Sequence, residues 1–300
     1  MTALTDTTAT HGTGQVITRF GAELMVETAH GELLRCTARR KLDQLACGDH
    51  VQWERQLQGN AAVTKILPRR NVLERPDFRG KPRAIAANID LLIVVTSWQP
   101  APTWEMLDRY LIAAQRLSAD MLLVMNKADL RSSFATEADL ALLAEFEQIG
   151  YPVLHVSAEL NEGMEAIRAA IIGKTAIVVG QSGVGKSSIA AQILPHETIR
   201  VGTIAETGEG RHTTTSAVLY RLPAGGNLID SPGVRDFGLT GLDFASLEQG
   251  FPEFKPWLGE CRFNNCTHQH EPGCAIKQAA RQNQLPAGRF ARYQQLLGSL

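Results

Sequence analysis

Three hundred residues, 44% hydrophobic and 20% charged, are enough for two or three domains with buried cores. The longest apolar runs, IDLLIVVTSW and TAIVVG, are too short to cross a bilayer, and the opening MTALTDTTATHGTG lacks the basic and apolar regions of a secretory signal. A formal net charge of −1 hides an asymmetry: 13 Lys/Arg against 8 Asp/Glu over 12–83, 12 against 21 over 84–260, and 5 against 1 over 261–300. Two basic flanks around an acidic middle point to a polyanionic partner, and a nucleic acid is the first candidate.

Residues 1–11 read as a disordered tail. Over 12–70 come five short segments rich in β-formers, GQVITRFG, AELMVETAHG, GELLRCTARR, DHVQWERQ and AAVTKILPR, broken at glycine-containing turns. Five strands so spaced suggest an oligonucleotide-binding (OB) barrel, with an SH3-like barrel as the alternative. Residues 71–82 contain Pro76 and Pro82 and are rich in Arg and Lys, which reads as a basic linker able to touch phosphates.

From 83 to 240 strands and helices alternate. IDLLIVVTS, DMLLVMNKAD, YPVLHVSAE and KTAIVVGQSG read as buried strands. PTWEMLDRYLIAAQRLSA is an amphipathic helix with Leu107, Tyr110, Leu111, Ala114 and Leu117 on one face. TEADLALLAEFEQIG is a helix capped by Thr136 and stopped at Gly150, EGMEAIRAAI a short helix, and SAVLYRLP with GNLIDSPG a hairpin pair. The alternation predicts a mainly parallel sheet with helices on both faces. The fold class expected is thus multidomain α/β: barrel, phosphate-binding domain, and a C-terminal helical module over 241–300. In that module AIKQAARQNQ and PAGRFARYQQLLGSL read as helices carrying Lys277, Arg281, Arg289 and Arg292 on polar faces.

GQSGVGKS, Gly180 to Ser187 (Gly180, Gln181, Ser182, Gly183, Val184, Gly185, Lys186, Ser187), followed by Ser188, fits G-x-x-x-x-G-K-[ST] between a predicted strand and a predicted helix. Its glycines let backbone N–H groups curl round a phosphate chain at a helix N-terminus. Lys186 would reach the β- and γ-phosphates, and the Ser187 hydroxyl would ligate Mg²⁺. NKAD, Asn126, Lys127, Ala128 and Asp129, ends another strand. A carboxylate at Asp129 accepts from guanine N1–H and its 2-amino group, whereas adenine offers neither. Such sites reject the wrong ligand by about 10⁴-fold. Ser157 and Ala158 of VSAE would give backbone N–H to guanine O6. In DSPG, Asp230 would hold Mg²⁺ through water and the Gly233 amide would meet the γ-phosphate. GRHTTTS supplies Thr213, Thr214 and Thr215 as candidates to close over the ion, and the sequence does not choose among them.

CRFNNCTHQHEPGC has the spacing C-x4-C-x-H-x5-C, which gives Cys261, Cys266, His268 and Cys274 as a closed tetrahedral Zn²⁺ set, with His270 as rival for the fourth place.

The motif order, NKAD, SAE, phosphate loop, threonine loop, DSPG, resembles the circularly permuted GTPases. With GQSGVGKSS, GRHTTT, DSPGVRDFGL, the barrel and the Cys₃His set, nearly the whole chain resembles the RsgA-type small ribosomal subunit biogenesis GTPases. That resemblance implies a cytoplasmic GTP hydrolase, turning GTP over to GDP, that binds the small ribosomal subunit and its rRNA late in maturation and leaves after hydrolysis. A monomer and no membrane partner are expected. The alternative is an RNA-binding assembly protein in which GTP is only a structural ligand; a P-loop kinase or ATPase sits badly with the NKAD and SAE pair. Val234 follows DSPG where many GTPases carry a water-orienting glutamine, so slow intrinsic hydrolysis is expected. His212 is the internal candidate to position the water, and the resemblance points at the same loop. Gly183 stands where K⁺-dependent GTPases carry an asparagine, which argues against a K⁺ requirement.

Overall fold

The computed structural model describes residues 10–39, 42, 44–57, 59–77, 79–194, 217–231 and 243–299. His212, Thr213, Thr214, Thr215, Gly233 and Val234 lie outside the described residues.

Strands β1 (His11–Phe20), β2 (Glu23–Thr28), β3 (Leu33–Ala38), β4 (His50–Glu54) and β5 (Ala61–Ile66) form the barrel. The order runs β1-β2-β3-β5-β4, and β1 also pairs with β4, which closes it. Buried residues alternate with half-buried ones along β2 and with exposed ones along β4, so each strand gives one face to the interior. Val16, Leu24, Val26, Leu34, Val51, Trp53 and Val63 fill that interior.

Residues 71–82, expected as an irregular linker, hold most of a hairpin, β6 (Val72–Pro76) and β7 (Pro82–Ala87). The two prolines that suggested broken structure face each other at the turn end of the pair. There the strand ends and a missing N–H costs no ladder bond. Asp77 closes the turn by accepting from the N–H groups of Arg79 and Lys81.

The alternating region follows its predicted order: β8 (Leu91–Ser97), α1 (Trp104–Leu117), β9 (Asp120–Asn126), α2 (Arg131–Phe134), α3 (Glu137–Gln148), β10 (Val153–His155), α4 (Met164–Ile171), β11 (Thr175–Val179), α5 (Lys186–Ile193), β12 (Val218–Arg221) and β13 (Asn227–Asp230). β8 and β11 are buried along their whole length, as expected of strands covered on both faces. All five predicted face residues of α1 are buried. Thr136 caps α3 in a reciprocal capping box with Asp139. Helices α6 (Phe244–Gln249), α7 (Ala275–Arg281) and α8 (Ala287–Leu297) complete the chain.

Two compact units result. The first holds residues 1–91, 167–178 and 190–237. In it the barrel strand β1 pairs antiparallel with β12, β12 pairs antiparallel with β13, and β13 runs parallel to β11. The second unit holds 92–166, 179–189 and 238–300. In it β8 and β10 flank β9, and β10 runs parallel to β9. The C-terminal module is part of this second unit: Ile112 of α1 shares one core with Leu247, Phe251, Phe254, Ile276 and Tyr293. Among the described residues no helix is long and apolar enough to cross a membrane.

Candidate nucleotide site and metal centre

The phosphate loop, NKAD and VSAE all fall in the second unit, and one buried side chain joins them. Asn126, at the end of β9, donates from Nδ2 to the Val184 carbonyl at 2.8 Å. Its Oδ1 accepts from the Ala158 N–H at 3.1 Å. A single amide therefore binds the glycine-rich loop on one side and the VSAE turn on the other. A Cβ on Gly185 would lie 2.2 Å from Asn126 Nδ2, and Gly185 sits at φ +94°, so this close approach admits only glycine. Gly180 is equally confined, since its Cβ would lie 2.1 Å from the Val95 carbonyl oxygen.

Two lysines brace the loop. Lys186, the first residue of α5, donates to the carbonyls of Gly180 and Gln181 at 2.8 and 2.6 Å. Lys127 donates to the Gly183 carbonyl at 2.9 Å and to the Gln99 carbonyl at 2.6 Å. Gln181 donates to the Ala101 carbonyl at 3.0 Å. The turn at 99–101 after β8 is thus a support that sequence reading missed. It contributes backbone carbonyls, which leave no signature in the residue types. Ser187 and Ser188 are exposed on the first turn of α5, while Val184 is buried beneath the loop.

Asp129 lies exposed on the short 3₁₀ turn Ala128–Leu130, entered through Lys127 in the left-handed region. The Ala128 N–H donates to the Val156 carbonyl, which ties the NKAD turn to the VSAE strand. The two amides expected at guanine O6 both have protein partners: Ser157 N–H donates to Glu162 O and Ala158 N–H to Asn126 Oδ1. A contact from either amide to O6 would be a shared one. Asp230 ends β13 in the first unit.

The metal ligand atoms of Cys261, Cys266, His268 and Cys274 all lie within 4.8 Å of one another. Cys261 Sγ and Cys274 Sγ are 3.8 Å apart, and His268 Nδ1 is 3.3 Å from Cys274 Sγ and 3.6 Å from Cys261 Sγ. A tetrahedron with metal–sulfur bonds of 2.3 Å has edges of about 3.8 Å between sulfurs and about 3.6 Å from sulfur to nitrogen. The donor set and its spacing therefore fit a Zn-type ion. His268 is buried and His270 exposed, so the cluster takes the former. The Glu271 carboxylate, lowered to about 2 chiefly by the Thr267 hydrogen bonds, accepts from Thr267, Gln269 and His270 and fixes the loop between ligands.

The expectation for Arg289 and Arg292 is overturned. Their side chains are 0% and 10% exposed. Arg289 pairs with Asp108 and, at 2.6 Å, with Glu253. Arg292 pairs with Asp108 at 2.5 Å and Glu145 at 3.0 Å. The Arg289 guanidinium also lies 4.2 Å from the Phe251 ring centroid. Burial pushes the Asp108 carboxyl up, opposed by both guanidiniums. Burial alone would lower Arg289, yet Asp108 and Glu253 hold it above its ordinary value. These charges fasten α8 to α1 and α3.

Residues 66–240 match the family model described as RsgA GTPase. A relative from Chromohalobacter salexigens, "Small ribosomal subunit biogenesis GTPase RsgA", is 45% identical over 96% of this chain and 86% of its own. The crystal structure of YjeQ from Thermotoga maritima superposes with a TM-score of 0.77 at 27% identity, covering 97% of this chain and 98% of that one. YloQ, described as a circularly permuted GTPase, shares the fold with a TM-score of 0.76 at 23% identity, over 99% and 97% of the two chains. Motif order, barrel, Cys₃His cluster and these matches agree: the chain belongs to the RsgA GTPase family.

Proposed function

We propose that this GTPase acts in the cytoplasm, as a monomer, on the small ribosomal subunit, where it binds rRNA, assists late maturation and is released by GTP hydrolysis. The observation that carries the nucleotide half is the Asn126 bridge between the phosphate loop and the VSAE turn. It ties the glycine-rich loop to the VSAE turn, which supports reading the two as the phosphate and base sides of one site. The subunit half is supported by the names of relatives that match nearly the whole chain.

The residues divide the work. The glycine-rich loop Gly180–Ser188 wraps the phosphates with backbone N–H groups, and Lys186 turns its ammonium from loop carbonyls to phosphate oxygens. Asp129 reads the guanine edge, with Asn126, Lys127, Ala128, Ser157 and Ala158 shaping the base side. Ser187 and, through water, Asp230 are the residues that would hold Mg²⁺, a hard cation suited to hydroxyl and carboxylate oxygens. Mg²⁺, when bound, neutralises charge building on the phosphates. Thr213, Thr214 or Thr215 and the Gly233 amide would close over the γ-phosphate, and His212 would position water. Cys261, Cys266, His268 and Cys274 would hold one Zn²⁺ in a structural role, as a set of four protein ligands suits.

Asp129→Asn replaces the acceptor with an amide and should move preference from guanine to xanthine nucleotides, read by competition for a labelled nucleotide. GTP turnover measured with purified small subunits across a salt series tests the whole reading. Stimulation that weakens as salt rises is the expected result. No stimulation, with equal subunit affinity in GTP and GDP forms, would instead support an assembly protein that carries GTP as a structural ligand.

A further inference from the structure

Helix α6 is the first described element after the DSPG segment; it shares a core with the Cys₃His cluster and reaches it through Glu248. Leu247, 0% exposed, belongs to the same core as Cys266 and Cys274. On the next residue, Glu248 Oε1 lies 2.7 Å from His268 Nε2. The other ring nitrogen, Nδ1, faces the sulfurs of Cys274 and Cys261. His268 is 3% exposed and its ring lies among those of Phe244, Phe254 and Tyr293, so it has little freedom to exchange the two nitrogens.

We propose that Glu248 is the positioning residue of the metal centre: its carboxylate receives the Nε2–H of His268 and thereby fixes Nδ1 as the ligand atom. A neutral imidazole has one lone pair and one N–H. Ligation through Nδ1 uses the lone pair, so the proton sits on Nε2 and, being buried, needs an acceptor. An ionised carboxylate is a strong acceptor, and a partner of this kind orients the ring and raises its basicity as a ligand. Asp243 caps α6 by accepting from the Ser246 N–H, so the helix that carries Glu248 is itself fixed at its start. Metal occupancy and the order of α6 are therefore linked. An ion at the cluster holds His268, His268 holds Glu248, and Glu248 holds the helix that follows the DSPG segment.

The inference rests on the zinc reading, and the test separates the two. Zinc affinity is measured on the full chain by competition with a chromophoric chelator, for wild type, Glu248→Ala and Glu248→Gln. Glu248→Ala should bind zinc about 10- to 100-fold more weakly. Glu248→Gln keeps a carbonyl to accept the N–H and should recover most of that loss. The cobalt-substituted proteins supply a second readout: ligand-field bands of a tetrahedral S₃N site that are altered in Glu248→Ala and kept in Glu248→Gln. Hydrogen exchange in residues 244–249 of wild type should speed up when metal is removed. Wild-type affinity in Glu248→Ala, or no recovery in Glu248→Gln, overturns the positioning role while leaving zinc in place. A wild-type chain that binds no stoichiometric zinc overturns the metal reading and this inference with it. If Glu248→Ala does not fold, Glu248→Asp, which withdraws the oxygen but keeps the charge, takes its place and should show the same weakening.

Discussion

Two regions of the second unit are held together by opposite means. At the nucleotide end, side chains bond backbone groups: Asn126 to Val184 and Ala158, Gln181 to Ala101, and Lys127 and Lys186 to loop carbonyls. At the C-terminal end, charges are buried against charges: Arg289 and Arg292 against Asp108, Glu253 and Glu145. The first arrangement occupies side-chain groups and backbone carbonyls of the loop. The second commits every charge to a protein partner and presents little of it outward. Residues that bind a ligand must keep some capacity in reserve; residues that fasten a module need not.

The contrast is broken most directly at Asp108. Asp108→Asn removes the one carboxylate that both arginines share and leaves two buried guanidiniums short of a partner. The expected loss is about 3–5 kcal/mol of stability, read by chemical denaturation. Replacing Asp108, Arg289 and Arg292 together with their other partners Glu253 and Glu145 by apolar residues of similar volume should cost much less, because no charge is then left unpaired. A loss below about 1 kcal/mol in Asp108→Asn would mean that the network is incidental to fastening α8.

Metal withdrawal tests the same module by a second route. Cys266→Ser, or chelation of the wild type, should release zinc and lower the melting temperature of the C-terminal module, while guanine nucleotide affinity changes little. Equal loss of nucleotide binding would show the two ends of the unit to be one cooperative piece.

At the nucleotide end the expected effect is smaller in stability and larger in binding. Asn126→Ala strips the Val184 carbonyl and the Ala158 N–H of their buried partner, a cost of about 2 kcal/mol. With the phosphate loop and the base-side turn no longer restrained together, GDP affinity should fall about tenfold, measured by fluorescence of a labelled nucleotide. Unchanged affinity with lowered stability would make Asn126 a core residue and nothing more.

Most of the nucleotide end was legible in the sequence because its chemistry is local. Gly180 to Ser187 is one uninterrupted run, and NKAD and SAE each close a strand whose apolar pattern is plain. The Cys₃His cluster was legible for the same reason, as four ligands within fourteen residues. The barrel strands followed from short runs of β-formers and the turn residues between them. What could not be read joins residues remote in the chain. Arg289 and Asp108 are separated by 181 positions, and nothing near either one announces the other. Arg292 was assigned to a polar face of α8 because helical period alone cannot tell a solvated arginine from one facing a buried carboxylate. Pro76 and Pro82 misled in the other direction. They suggested a broken linker, whereas they sit opposite each other where a hairpin ends.

The smallest expected effect bears on how charge was counted. Arg35 and Arg289 each add one to the basic flanks, yet only one of them is on the surface. Arg35 pairs with Glu23 at 2.8 Å, with the two side chains 56% and 42% exposed. Water screens that pair, and two long side chains lose rotamer freedom to form it. Arg35→Ala should therefore change stability by only about 0–0.5 kcal/mol. If the barrel binds rRNA, the same substitution should weaken RNA binding by a modest, sequence-independent factor that shrinks as salt rises, because an exposed guanidinium contributes by displacing counterions from phosphate. Arg281→Ala, exposed on α7, is the matched control in the other basic flank. Arg289 cannot serve that way, since its charge is already matched inside the protein. A flank of five cations against one anion thus overstates what the C-terminal module offers a polyanion by two, and RNA titrations at fixed salt should rank the barrel above it.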